Sequence, residues 1–194
     1  MTASPLDALA GGKDSGGRSN TLGGLRLRLL TPGDELLLQR GFATLSPASR
    51  HLRYGLPLRD AHRALQWVRL LGDGTHTALG ACADGHPVGV ARYVRESDTA
   101  EAAVTIVDVW QGRGAGTFLL EALCAHARHA GVCAFRASVL AENRRALRLL
   151  GRFGAERSRR EGAWLVYELF LASPQTSQCL TRSQCLPEHQ RATP

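Results

Sequence analysis

The sequence predicts an α/β chain of the α+β kind: a mixed, mostly antiparallel sheet of six to seven strands with helices packed on it. Three observations predict this. Residues 75–83 and 88–95 are rich in small and β-branched residues and flank Asp84-Gly85, a strong two-residue hairpin signal. Residues 101–107 continue the meander, with Ala102, Val104 and Ile106 alternating against Glu101, Ala103, Thr105 and Val107. The chain then enters a glycine-rich turn, a helix and a further strand at 132–140. Such a strand–helix–strand crossover is what a parallel pair requires.

Taken in order, residues 1–23 are Gly, Ser and small polar residues with little to bury and read as disordered. Residues 25–30 alternate Leu with Arg and read as the first strand. Thr31-Pro32-Gly33-Asp34 ends it and starts a helix over about 35–45. Ser46-Pro47 has the cap and first-turn chemistry of a second helix, which carries Arg50, His51, Arg53 and Tyr54. Residues 59–71 give another helical pattern, with Leu65, Val68 and Leu71 on one side.

In the long helix after the glycines, Leu119, Leu120, Leu123, Cys124 and Ala127 recur at three-and-four spacing, and Gly131 supplies a stop. After the strand at 132–140, a short helix buries Ala146, Leu149, Leu150 and Phe153 and carries Arg144, Arg148 and Arg152 on another face. Residues 163–171 are the last strand, paired with 155–160 through Glu161-Gly162. The polar tail at 173–194 has no periodicity and reads as mobile.

Composition bounds the function. The chain has 194 residues, within the range of one domain, and its central part of roughly 150 residues can bury about two thirds of its unfolded surface. No apolar run approaches the length of a bilayer span, and the N-terminus lacks a charged-then-apolar leader pattern, so no membrane role is expected. Five cysteines, an odd count with no C-x-x-C pair, suggest a reducing compartment and no metal. Cys82, Cys124 and Cys133 fall inside predicted elements and read as small buried thiols. Cytoplasm is the expected location.

Net charge is +7, from 24 basic and 17 acidic residues, and Lys13 is the one lysine. Basic charge can serve nucleic acid, an acidic partner or the phosphates of a cofactor, and an Arg-over-Lys bias also arises from GC-rich coding. No nucleic-acid module accompanies it and aromatics are few, so nucleic acid is not an expected partner.

The chemistry concentrates at Gln111-Gly112-Arg113-Gly114-Ala115-Gly116-Thr117. Glycines remove the Cβ atoms that hold a ligand away, and a first helical turn leaves N–H groups without internal acceptors, a setting that suits a phosphate or diphosphate. The same residues also serve tight turning and packing. A triphosphate loop is excluded because no Gly-Lys-Ser/Thr ending follows, and the G-x-G-x-G spacing does not fit a dinucleotide fingerprint.

This segment resembles the Q/R-x-x-G-x-G/A motif of the GNAT superfamily of acyl-CoA-dependent N-acyltransferases, and Asn143 with the helix ending near Gly151 and Gly154 resembles the family's second signature. The resemblance covers about residues 24–171. It implies the GNAT fold over 24–172, with helices on both faces and a splay between the fourth and fifth strands that admits acetyl-CoA. It further implies cofactor contacts from the main chain near Thr105, Ile106 and Val107, from residues 111–117 and from Asn143. Asn143 also reads as a simple helix cap, and both roles are compatible. One arginine among 144, 148 and 152 would meet the 3′-phosphate of CoA, unless the stripe is only solvated surface.

Leu45-Ser46-Pro47-Ala48-Ser49-Arg50-His51-Leu52-Arg53-Tyr54 is similar to a stretch in Pat-type bacterial protein lysine acetyltransferases, on the acceptor side of the site; a surface helix with solvated arginines accounts for it equally. The Ala100-Glu101-Ala102-Ala103 stretch matches theirs in position, which implies Glu101 as the general base. Leu150 stands where many GNAT enzymes have a Tyr that protonates the leaving thiolate, so Tyr167 or no protein acid is expected. The implied activity is acetyl transfer from acetyl-CoA to a primary amine in a ternary complex, with a protein lysine favoured, a small amine or antibiotic as the alternative, and an acyl-CoA-binding sensor as the non-enzymatic one.

Overall fold

The computed structural model describes residues 24–56 and 58–171. The expectations for 1–23 and 173–194 lie outside the described residues. Seven strands form one sheet in the order β1-β2-β3-β4-β5-β7-β6: β1 Leu25–Leu29, β2 His76–Ala83, β3 His86–Glu96, β4 Thr99–Ile106, β5 Ala134–Leu140, β6 Glu156–Glu161 and β7 Trp164–Phe170. Every neighbouring pair is antiparallel except β4 and β5, which run parallel. The crossover joining them is a 15-residue helix, α4 Ala115–His129.

Local chemistry sets the connections. Asp84 and Gly85 both have positive φ, 48° and 77°, the type I′ geometry whose twist matches the flanking strands. Ser97-Asp98 closes the next hairpin, opposite Glu96 and Thr99, with Ser97 at φ 61°. Helices α1 Glu35–Ala43, α2 Pro47–Tyr54 and α3 Ala61–Ala64 lie between β1 and β2, and α5 Arg144–Arg152 follows β5. The single helix expected over 59–71 is instead α3 followed by a 3-10 turn at Gln66–Leu70. Its buried residues Leu65, Val68 and Leu71 stand three apart, the repeat of a 3-10 helix, and the Trp67 indole donates to the Ala64 carbonyl at 3.1 Å.

Each face of the sheet carries its own core. On one face, Leu119, Leu123 and Ala127 of α4 pack on Leu79, Ala91, Ala102 and Phe135, with Leu149 and Phe153 from the α5 segment at the margin. On the other, Leu38 and Phe42 of α1 pack with Leu45, Leu65, Val68 and Ala78, flanked by Tyr54 and Trp67. Cys124 is a buried free thiol and Cys82 a half-buried one; Cys133, expected as a thiol, is disulfide-bonded. Among the described residues, no helix is long and apolar enough to cross a membrane.

Candidate active site

The β4–β5 pairing is short. Thr99, Ala100 and Glu101 stand opposite Ala134, Phe135 and Arg136, and there the register ends. β4 continues along β3 as far as Ile106 opposite Gly89, while β5 continues along β7 as far as Leu140 opposite Trp164. The strands therefore part, and the gap between them is a cleft of about 440 Å³, a volume typical of small-molecule sites, roughly 300–1,000 Å³.

Antiparallel pairing fixes which β4 groups face that gap. The Val107 amide donates to the Val88 carbonyl at 3.0 Å, so in the alternating ladder Glu101, Ala103 and Thr105 turn their main chain to β3. The main chain of Val104 and Ile106 turns to the gap, where β5 has left. The Ile106 carbonyl accepts from Gln111 Nε2 at 3.0 Å. Among the described residues, Val104 and the Ile106 amide are left as a free strand edge on which an extended ligand can pair. Val107 is buried and is not among the residues lining the cleft, with its amide on Val88 and its carbonyl accepting from the Trp110 amide at 2.9 Å.

The turn after β4 borders the same cleft. Gly112 and Gly114 have φ of 75° and 87°, a region that costs other residues roughly 1–2 kcal/mol. Gly114 is the N-cap of α4 and makes no side-chain cap, so the amides of Ala115, Gly116 and Thr117 have neither a cap nor an intrahelical acceptor. With the helix dipole behind them they offer a setting that suits an anion. Gly112, Gly114, Gly116 and Thr117 line the cleft. Ala115 is buried at the start of the helix, and Arg113 lies outside, its guanidinium 6.0 Å from the Trp110 ring centre.

A hydrogen-bonded network ties this turn to α2. Asp108 accepts from the Ser46 amide at 2.7 Å, the Ser46 hydroxyl at 3.0 Å and the Ser49 hydroxyl at 2.6 Å. Gln111 Nε2 donates to the Ser49 hydroxyl at 3.1 Å, and Gln111 Oε1 accepts from Arg145 of α5. Burial raises the Asp108 pKa, but the bonds from Ser49 and Ser46 together outweigh it and hold the carboxyl below its usual value. Sequence reasoning did not assign Asp108 a role. The signal was Ser46 and Ser49 at cap spacing, which left open what anchored them.

Glu101 occupies the last paired position before the strands diverge. Its side chain is exposed and lines the cleft on the α1–α3 face of the sheet. Two arginines share that face. Arg53 of α2 donates from Nε to the Thr105 hydroxyl at 3.2 Å. Arg92 stands opposite Ala103, between Glu101 and Thr105, and lays its guanidinium 4.9 Å from the Trp67 ring centre. Burial lowers the pKa of both. Arg92 is brought to about 10 by burial and then by the Arg53 charge, with Glu101 and Tyr54 opposing. Arg92 was also absent from the sequence-based site. Its signal is a single charge within the otherwise uncharged stretch Val88–Val94 of β3.

The far wall comes from β5, α5 and β7. Asn143 caps α5, its Oδ1 accepting from the Ala146 amide at 3.1 Å, and it also lines the cleft. Arg145, Arg148 and Arg152 are at the cleft, whereas Arg144 is not among its lining residues. Leu150 is buried in the wall, and Tyr167 of β7 also lines the cleft. Glu101, Ile106, Gln111, Gly112, Gly114, Gly116, Thr117 and Asn143 are thus brought to one cleft, while Val107, Arg113 and Ala115 support or flank it. Among the described residues there is no cluster able to hold a metal ion.

Comparison with known proteins agrees with this geometry. The family model described as Acetyltransferase (GNAT) family matches residues 43–155. Acetyltransferase Pat of Mycolicibacterium smegmatis is 31% identical over 134 residues, covering 66% of this chain and 40% of that protein. The chain thus spans less than half of that relative. The crystal structure of the GNAT domain of S. lividans PAT superimposes with a TM-score of 0.70 at 26% identity, covering 76% of this chain and 90% of that one. The Salmonella typhimurium yncA structure with its cofactor acetyl-CoA shares the fold, with a TM-score of 0.64 at 19% identity over 81% of this chain and all of that one. The matched region runs through the splayed strands, the uncapped helix and the α5 cap, and the chain belongs to the GNAT family of acetyltransferases, enzymes that take their acyl group from acetyl-CoA.

Proposed function

We propose that the chain transfers the acetyl group of acetyl-CoA to a primary amine held against Glu101, with a protein lysine as the favoured acceptor. One observation carries this reading: Glu101 sits where β4 and β5 part, in the same cleft as the free β4 edge and the uncapped start of α4. Acetyl-CoA supplies the activated acyl group as a thioester. The chain's residues supply the rest.

The amides of residues 115–117 hold the diphosphate, and Arg145, Arg148 or Arg152 meets the further phosphate at the mouth. Val104 and Ile106 pair with the amide-bearing arm as a strand would. A lysine ammonium has a pKa near ~10.4 and cannot attack while protonated, so Glu101 accepts its proton directly or through one water. The new N–C bond forms as the C–S bond breaks, the attacking nitrogen gives up its second proton to solvent, and the leaving sulfur takes its proton from Tyr167 or solvent, since Leu150 has none to give.

The lysine preference draws on the Ser46–Tyr54 stretch forming one wall of the cleft, through Ser49, Leu52 and Arg53. Incubating the full chain with labelled acetyl-CoA, a lysine-peptide library and a panel of small amines, followed by mass spectrometry, tests it. Label on lysine side chains supports the reading. Label confined to small amines gives the acceptor to that class, and no label on any amine overturns acetyl transfer.

A further inference from the structure

The acceptor face carries more positive charge than its own residues neutralise. Arg92 is half-buried, yet among the described residues its guanidinium makes no hydrogen bond or ion pair, and its Nε is buried without an acceptor. Arg53 uses one donor on Thr105 and has no other protein acceptor among the described residues. A guanidinium offers five donors in a planar fork, and leaving them unmet away from water is unfavourable. Stacking on Trp67 nevertheless holds Arg92 in one place, a pre-formed arrangement rather than a loose surface side chain.

Arg53 also lines the main cleft with Glu101, Ala103 and Thr105, and it lines an adjoining pocket of about 50 Å³ with Arg92, Tyr54 and Trp67. The carboxylate in electrostatic reach of both arginines is Glu101. Two cations and one anion leave one unit of positive charge uncompensated beside the place where the amine must sit. The lowered pKa of Arg92 has the same physical origin, a charge kept close to another cation with little water, which a bound anion would relieve.

We propose that Arg53 and Arg92 form an acceptor subsite for a carboxylate carried close to the reacting amine. The excess of one charge and the small pocket match a carboxylate monoanion. This assignment rests on the acetyltransferase reading and deepens it, since it names a feature of the acceptor. The carboxylate can come from an acidic residue beside a target lysine or from the amine-bearing small molecule itself.

The test compares blocked tripeptides Gly-Lys-Glu and Gly-Lys-Gln, and 5-aminovalerate with pentylamine, as acceptors for the full chain. The carboxylate member of a pair should show kcat/KM at least about tenfold higher, equivalent to about 1.4 kcal/mol. Which pair responds identifies the source. The ratio should fall to within twofold in Arg92→Gln and recover partly in Arg92→Lys. Equal rates within both pairs in the unaltered protein, or an unchanged ratio in Arg92→Gln, overturn the proposal.

A second measurement needs no turnover. Titration with glutarate, which cannot be acetylated, should shift tryptophan emission through Trp67, and Trp67→Phe should abolish the shift. An unaltered spectrum up to high glutarate concentration overturns the subsite even if acetylation proceeds. A spectral shift with no acetylation of any amine supports the subsite and removes the acetyltransferase reading.

Discussion

Glu101 near the start of β4 and Asp108 in the 3-10 turn after it are both carboxylates, and their surroundings give them different work. Glu101 is exposed to the cleft and accepts no hydrogen bond among the described residues, so it is available to a substrate proton. Glu101→Gln keeps the shape and removes the base; kcat should fall about 10²–10⁴-fold with the Kd for acetyl-CoA within twofold, measured by steady-state kinetics and calorimetry. Asp108 is held by Ser46 and Ser49 and its pKa is depressed. A carboxyl that binds its proton more weakly when folded stabilises the fold above the ordinary value of 3.8, and that contribution is lost as pH falls through the lower folded value. Asp108→Asn should therefore unfold more readily at neutral pH and show a flatter loss of stability below about pH 4, read by urea melts at several pH values.

At the scale of elements, much was legible because the local rules agreed. Asp84-Gly85 named its own turn, the alternation over 102–106 named β4, and the glycines at 112 and 114 marked a turn that only positive φ satisfies. The 3-10 turn at Gln66–Leu70 was misread as regular helix because spacings of three and of three-to-four overlap over so short a run. Arg92 and Asp108 escaped for a different reason. Each acquires its role from residues 25 to 62 positions away, Trp67 for the one and Ser46 for the other, and no local pattern encodes such a meeting. Val107 was assigned to the cofactor through the family resemblance. Its amide direction depends on hairpin phase, which the sequence did not reveal.

Across the whole molecule, the cleft exists because two half-sheets are pinned at one end and spread at the other. Helix α2 reaches across it, linked to the loop after β5 by His51 Nε2 and Glu142 Oε1 at 2.8 Å, and to β7 where Gly55 meets Trp164. Gly55 ends α2 at φ 73°, and a Cβ built there would stand 2.5 Å from the Trp164 ring. Gly55→Ala should therefore destabilise by about 2–4 kcal/mol, combining left-handed strain with overpacking, and should raise the acceptor KM as α2 shifts; thermal melts and kinetics check both.

The uncapped start of α4 makes the most direct claim, because no acceptor among the described residues takes those amides. Isothermal titration of acetyl-CoA into the full chain and into Gly114→Val, with circular dichroism confirming that both are folded, tests it. One-to-one binding that weakens at least tenfold in Gly114→Val is the predicted result. Absence of heat in the unaltered protein, or equal affinity in the two, would contradict the account.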